Sequence, residues 1–130
     1  MRQGKDIQLT AQTELPFWDA PIEKRPFFMQ TYDAARERQW DRLKEIAALW
    51  LKNEPQSNEA LFTDAIARFE LKDYEMSKKE LNDVVKKNPR HAQAQFYLLK
   101  LAKLNHDDNA VHAIETVLSQ LDESLLKEAQ

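Results

Sequence analysis

Residues 38–55 read Arg38-Gln39-Trp40-Asp41-Arg42-Leu43-Lys44-Glu45-Ile46-Ala47-Ala48-Leu49-Trp50-Leu51-Lys52-Asn53-Glu54-Pro55. Residues 71–89 read Leu71-Lys72-Asp73-Tyr74-Glu75-Met76-Ser77-Lys78-Lys79-Glu80-Leu81-Asn82-Asp83-Val84-Val85-Lys86-Lys87-Asn88-Pro89. Each stretch is a polar turn carrying an aromatic residue, then an apolar-periodic run, then a proline. Pro55 and Pro89 lie 34 residues apart, as do Trp40 and Tyr74, so two landmarks share one period. Such an interval holds a pair of helices and their turns. A lone pair of that size cannot bury its apolar face, so repeats of this length stack on their neighbours.

Helix signals continue on both sides of this stretch. A first helix is predicted from about Pro26 to Arg38, with the proline suited to a helix start and Phe28, Tyr32 and Ala35 at helical spacing. A second, from about Trp40 to Lys52, puts Leu43, Ile46, Ala47, Trp50 and Leu51 on one face. The third spans about Asn58 to Leu71, capped by Ser57 or Asn58, with Leu61, Phe62, Ala65, Ile66 and Phe69 as its apolar face. The fourth spans Tyr74 to Lys87 behind an Asp73 cap and carries Leu81, Val84 and Val85. The fifth, Ala92 to Leu104, is apolar on most sides, as expected of a helix covered on both flanks or lining a groove. The sixth starts near Asp107 or Asp108 and either continues through Leu125 and Leu126 or breaks near Asp122.

Composition narrows the functional classes. At 130 residues the chain is long enough for one domain with a real core. Its net charge is -3 with both signs dispersed, so it lacks the clustered Lys and Arg that phosphate backbones require, and nucleic acid is not an expected partner. There is no cysteine, hence no disulfide and no thiolate metal site. The single glycine, Gly4, argues against β-hairpins and phosphate loops, which depend on positive φ. No run approaches the length of a membrane span, and residues 1–10 lack the apolar centre of a secretory signal. Direct membrane insertion is therefore not expected. The expected compartment is the cytoplasm, or the periplasm or a membrane tether if an N-terminal signal or anchor has been removed.

Residues 1–23 form a separate, proline-rich segment. Pro16 and Pro21, followed by Pro26, interrupt helices there, yet Leu15, Phe17, Trp18 and Ile22 give it a large apolar load. This arm either packs on the first helices and seals that end, inserts into a partner or a second copy of the chain, or tethers an upstream segment. Residues 24–130 form the helical domain.

Aligned on the prolines, the chain resembles the tetratricopeptide repeat family. From Asn58 to Pro89, Leu61 stands at the family's Trp position, Ala65 at its Gly, Ser77 at its small Ala, Leu81 at its Phe and Pro89 at its Pro, and Asp73-Tyr74 matches the pair common at its turn. In the unit ending at Pro55, Gln39-Trp40 occupies the turn, Leu43 the Ala position and Ala47 the Phe position. The third unit turns at Asn105-His106-Asp107-Asp108 and, with a shift of about two residues, puts Ala110 or Ala113 at the small position. Departures are Asp64 and Arg68 at the Leu and Tyr positions, four apart and able to pair, and Lys72 at the turn glycine. The resemblance implies an all-α, right-handed superhelical stack of about three helix-turn-helix repeats, six to seven helices in all. The runner-up is a non-repeat bundle of the same helices.

Catalytic constellations are not legible. Ser57, Ser77, Ser119 and Ser124 lack nucleophile-elbow glycines, and the carboxylates have no glycosidase or protease context. His106 and His112 flank a turn at a spacing that does not bring two ligands together, so they read as turn and cap residues, like His91. No metal and no cofactor is expected, and the chain is read as a non-enzyme. The resemblance instead implies a groove lined by the first helices. Its inward positions fall on Phe28, Met29, Tyr32 and Arg36, on Glu59, Phe62, Ile66 and Phe69, and on Gln93, Phe96, Lys100 and Lys103. Phe62 and Phe69 serve equally as core. The implied function is protein-protein interaction, as an adaptor or assembly factor binding a peptide or helix. The alternatives are a small secretion chaperone and a subunit that self-associates through the arm.

Overall fold

A computed structural model describes residues 25–129, and the arm residues Leu15, Phe17, Trp18 and Ile22 lie outside them. Seven helices follow in order: α1 Phe27–Arg36, α2 Trp40–Asn53, α3 Asn58–Glu70, α4 Tyr74–Lys87, α5 Ala92–Leu104, α6 Asp108–Leu121 and α7 Glu123–Ala129. Among the described residues there is no strand. Consecutive helices pack on one another, α1 on α2, α2 on α3 and onward, and α7 lies against both α5 and α6. No helix of the described residues is long and apolar enough to cross a membrane.

The backbone itself repeats. In the turn inside each hairpin the residue two past the first helix is left-handed: Arg38 at φ 57°, Lys72 at 70° and His106 at 56°. Around each, three amides turn back onto the helix just ended. Gln39 N donates to Ala34 O at 2.9 Å, Asp73 N to Arg68 O at 2.8 Å, and Asp107 N to Ala102 O at 3.0 Å. These bonds satisfy the orphan carbonyls of the helix end. The turns between hairpins repeat too, with Glu54 N on Trp50 O, Asn88 N on Val84 O and Asp122 N on Leu118 O. The third unit therefore keeps the register of the others. The expected two-residue shift does not occur, and Val111, not Ala110 or Ala113, stands where Ser77 and Leu43 stand.

Three seams make the core. The first joins Ala34, Leu43, Ile46 and Ala67, with Phe27, Trp40 and Ile66 against them. The second joins Phe62, Ala65, Leu81 and Val84 to Ala94, Leu98 and Leu101 of the next hairpin. The third joins Phe96, Leu99 and Leu118 to Leu125, Leu126 and Ala129 of α7. Ala47, Ala60, Ala65, Ala67 and Ala94 are fully buried, small enough to let helix backbones approach. Buried Ser77 turns its hydroxyl inward and donates to Ala65 O at 2.8 Å.

At one helix end the structure selects between the two sequence alternatives, and at another it departs from the sequence reading. The last helix breaks at Asp122, whose Oδ1 accepts from the amides of Ser124 and Leu125, so α7 starts afresh in the place of a fourth first helix. Asp73 makes no side-chain cap to α4, because its Oδ2 takes a bond from Arg68 Nη1 at 2.9 Å instead.

A left-handed residue with a Cβ costs about 1–2 kcal/mol, against about 0.5–1 kcal/mol for the extra chain entropy of glycine. Lys72→Gly is therefore expected to raise stability by about 0.5–1 kcal/mol and Lys72→Val to lower it, read as opposite shifts in melting temperature.

Candidate functional site

The face made by α1, α3 and α5 holds two cavities. One, of about 340 Å³, is lined by Phe28, Thr31, Tyr32 and Ala35 of α1, Leu43 and Trp50 of α2, Glu59, Phe62, Thr63 and Ile66 of α3, and Gln93 of α5. The other, of about 390 Å³, is lined by Phe69, Tyr74, Lys100, Lys103 and Leu104. The structure thus gathers nine of the expected groove residues, six in the first cavity and three in the second. Met29 and Arg36 line neither, although the Arg36 guanidinium lies 5.7 Å from the Tyr32 ring centre. Phe96 also lines neither, and it packs beneath Lys100.

Burial separates floor from rim. Phe62 and Phe96 are 7% and 6% exposed and belong to the core seams. Phe28 and Tyr32 are 59% and 65% exposed and stand one helical turn apart on α1. Sequence reasoning grouped all four as contact residues. It did not include Thr31, Trp50, Thr63, Tyr74 or Leu104. The signal for Tyr74 was present, since it marks the repeat turn. Trp50 is held by a stack on Phe27, with ring centres 5.8 Å apart and planes 11° from parallel.

Aromatic rings connect the two cavities. Tyr97 meets Phe62 at 6.2 Å, Phe69 at 5.2 Å and Phe96 at 5.4 Å, all edge to face, and Phe69 meets Tyr74 at 5.4 Å. Edge-to-face rings gain quadrupole attraction beyond their buried area and hold one another in place. Burial raises the Tyr97 phenol above its ordinary value, with the charges of Glu70 and Glu128 adding, so its hydroxyl remains a donor. His91 lies against Phe62 at 4.5 Å. Its Nδ1 accepts from Ala94 N at 3.1 Å and so caps α5. In the neutral ring the proton then sits on Nε2, which faces Glu59 Oε1 at 3.4 Å.

Behind this face a charged cluster ties α3 to α4. Arg68 Nε donates to Asp64 Oδ2 at 2.8 Å, and Glu80 Oε1 lies 3.4 Å from the same nitrogen without a hydrogen bond. With Asp73 included, one guanidinium serves three carboxyl groups. The hydrogen bond to Asp64 raises Arg68, which stays a cation. Burial, then the hydrogen bond and charge of Asp64, push Glu80 up from 4.5 to about 8 against the pull of Arg68. Asp64 and Glu80 are buried and line neither cavity, so the cluster is an internal tie. The remaining histidines sit apart: His106 forms the left-handed turn, and exposed His112 holds Nδ1 3.9 Å from Glu115 Oε1. No protein-family model and no curated protein matches this chain.

Between pH 4.5 and about 8 the folded chain keeps the Glu80 proton that the unfolded chain releases. The stability this group contributes is complete below that window and is lost as pH rises through it. Glu80→Gln is expected to flatten the dependence and to exceed the parent by about 1–3 kcal/mol at alkaline pH, measured by denaturant melts. An equal penalty at every pH would contradict the assignment.

Proposed function

We propose that this protein is a non-catalytic interaction module of tetratricopeptide repeat type, an adaptor or assembly factor that holds a peptide or helix of a partner protein on the face of α1, α3 and α5. The supporting observation is the exposed pair Phe28 and Tyr32 beside an apolar cavity with an aromatic floor. Large exposed aromatics cost solubility and are typical anchors of protein interfaces, where they pair with pockets. The floor is fixed by the core, so the face is ready before a partner arrives and loses little entropy on binding. The common period of the turns supports the family assignment.

Phe28→Ser and Tyr32→Ser are each expected to weaken partner capture from lysate by tenfold or more, about 1.4 kcal/mol or more, with the helical circular dichroism unchanged. Phe62→Ser is expected to unfold the chain instead. Capture unaffected in the double Phe28 and Tyr32 variant would refute the reading.

A further inference from the structure

The second cavity has chemistry that the first lacks. Lys100 Nζ lies 4.7 Å from the centre of Phe96, 5.6 Å from Tyr97 and 5.9 Å from Phe69. Three rings thus face one ammonium, and no carboxylate among the described residues forms an ion pair with it. Lys103, one turn on, spends one of its donors on Ala129 O at 2.7 Å and likewise pairs with no described carboxylate. Both lysines are half-buried and line the cavity with Phe69, Tyr74 and Leu104.

We infer that this cavity receives a carboxylate side chain of the partner peptide, which makes the partner an acidic-apolar segment. The inference rests on the proposed interaction face. Ring faces hold the Lys100 cation electrostatically but accept no strong hydrogen bond, so its donors stay available. A half-buried cation in front of apolar walls attracts a carboxylate more strongly than one in bulk water. Leu104 and Tyr74, both exposed, supply an apolar rim that shields such a pair. In the first cavity the charged lining residue is Glu59, already beside His91, so that half favours apolar side chains.

The two halves are offset along α3 by the rise from Phe62 to Phe69, about 10 Å. An extended peptide covers that in about three residues. The partner segment therefore carries one or two large apolar residues and an Asp or Glu about three positions away.

A displayed library of random peptides of about twelve residues, selected on the full chain and on Lys100→Gln/Lys103→Gln, tests this. Circular dichroism checks that the variant is folded. Selection on the parent is expected to enrich Asp or Glu at one position about three residues from an apolar one. Selection on the variant is expected to keep the apolar preference and lose the acid. A selected peptide should bind the parent about tenfold tighter than its Gln counterpart and the variant equally. Lys100→Arg should retain the preference. An apolar preference without the acid, or an acid preference unchanged in the variant, overturns the inference and leaves the interaction face standing. A pool with no enrichment at all overturns both.

Discussion

Two helices of this length expose more apolar surface than they can hide from water between themselves. That shortage is the constraint on which the whole structure depends. Leu81 and Val84 on α4 are fully buried because Ala94, Leu98 and Leu101 of α5 lie against them, and Leu99 and Leu118 are buried because α7 follows. Each seam draws on consecutive hairpins, so stability is shared between neighbours and does not reside within any one hairpin. Identical turns follow from the same demand. If one hairpin closed at a different angle, its apolar stripe would miss the next. The left-handed residues at 38, 72 and 106 accept local strain to keep that angle, although none is glycine.

The proposed interaction face is what stacking leaves over. Each first helix spends its small and aliphatic side on the seams, as Ala60, Ala65 and Ala67 of α3 show. Its larger rings lie in and beside the same seams, Phe62 within one and Phe69 packed against it. Rings from successive hairpins then meet across the seam, as Phe62 and Phe69 do with Tyr97. A rigid aromatic floor thereby arises without any dedicated loop. The Asp64–Arg68–Glu80 cluster works behind it. It puts charged groups where apolar contacts could otherwise stand, and a buried ion cluster of that sort adds little net stability because desolvation offsets its attraction.

Helix ends were largely legible, because proline, asparagine and serine act locally: Ser57 Oγ does accept from Ala60 N, and α4 and α5 run as their residues predict. Failures came where tertiary neighbours decide. Asp73 looks like a cap, but Arg68, five residues back, takes its carboxylate. The third unit has Val111 at a position read as small and Glu123 where the earlier units have proline, so its register was hidden in the text and plain in the backbone. Phe28, Phe62 and Phe96 are chemically alike, and only the packing of adjacent hairpins makes one a rim and two a floor. Glu80 was silent for the same reason, since a buried acid depends on partners in another element, whereas His91, read as a turn or cap residue, does cap α5 through Ala94 N.

Mutual shielding has one direct test: the denaturant unfolding of a chain ended after Asn88, which keeps α1 to α4 and removes the helices that cover Leu81 and Val84. The account predicts that this fragment loses most of its helicity and its cooperative transition. A fragment that unfolds cooperatively at the denaturant midpoint of the whole chain would contradict it.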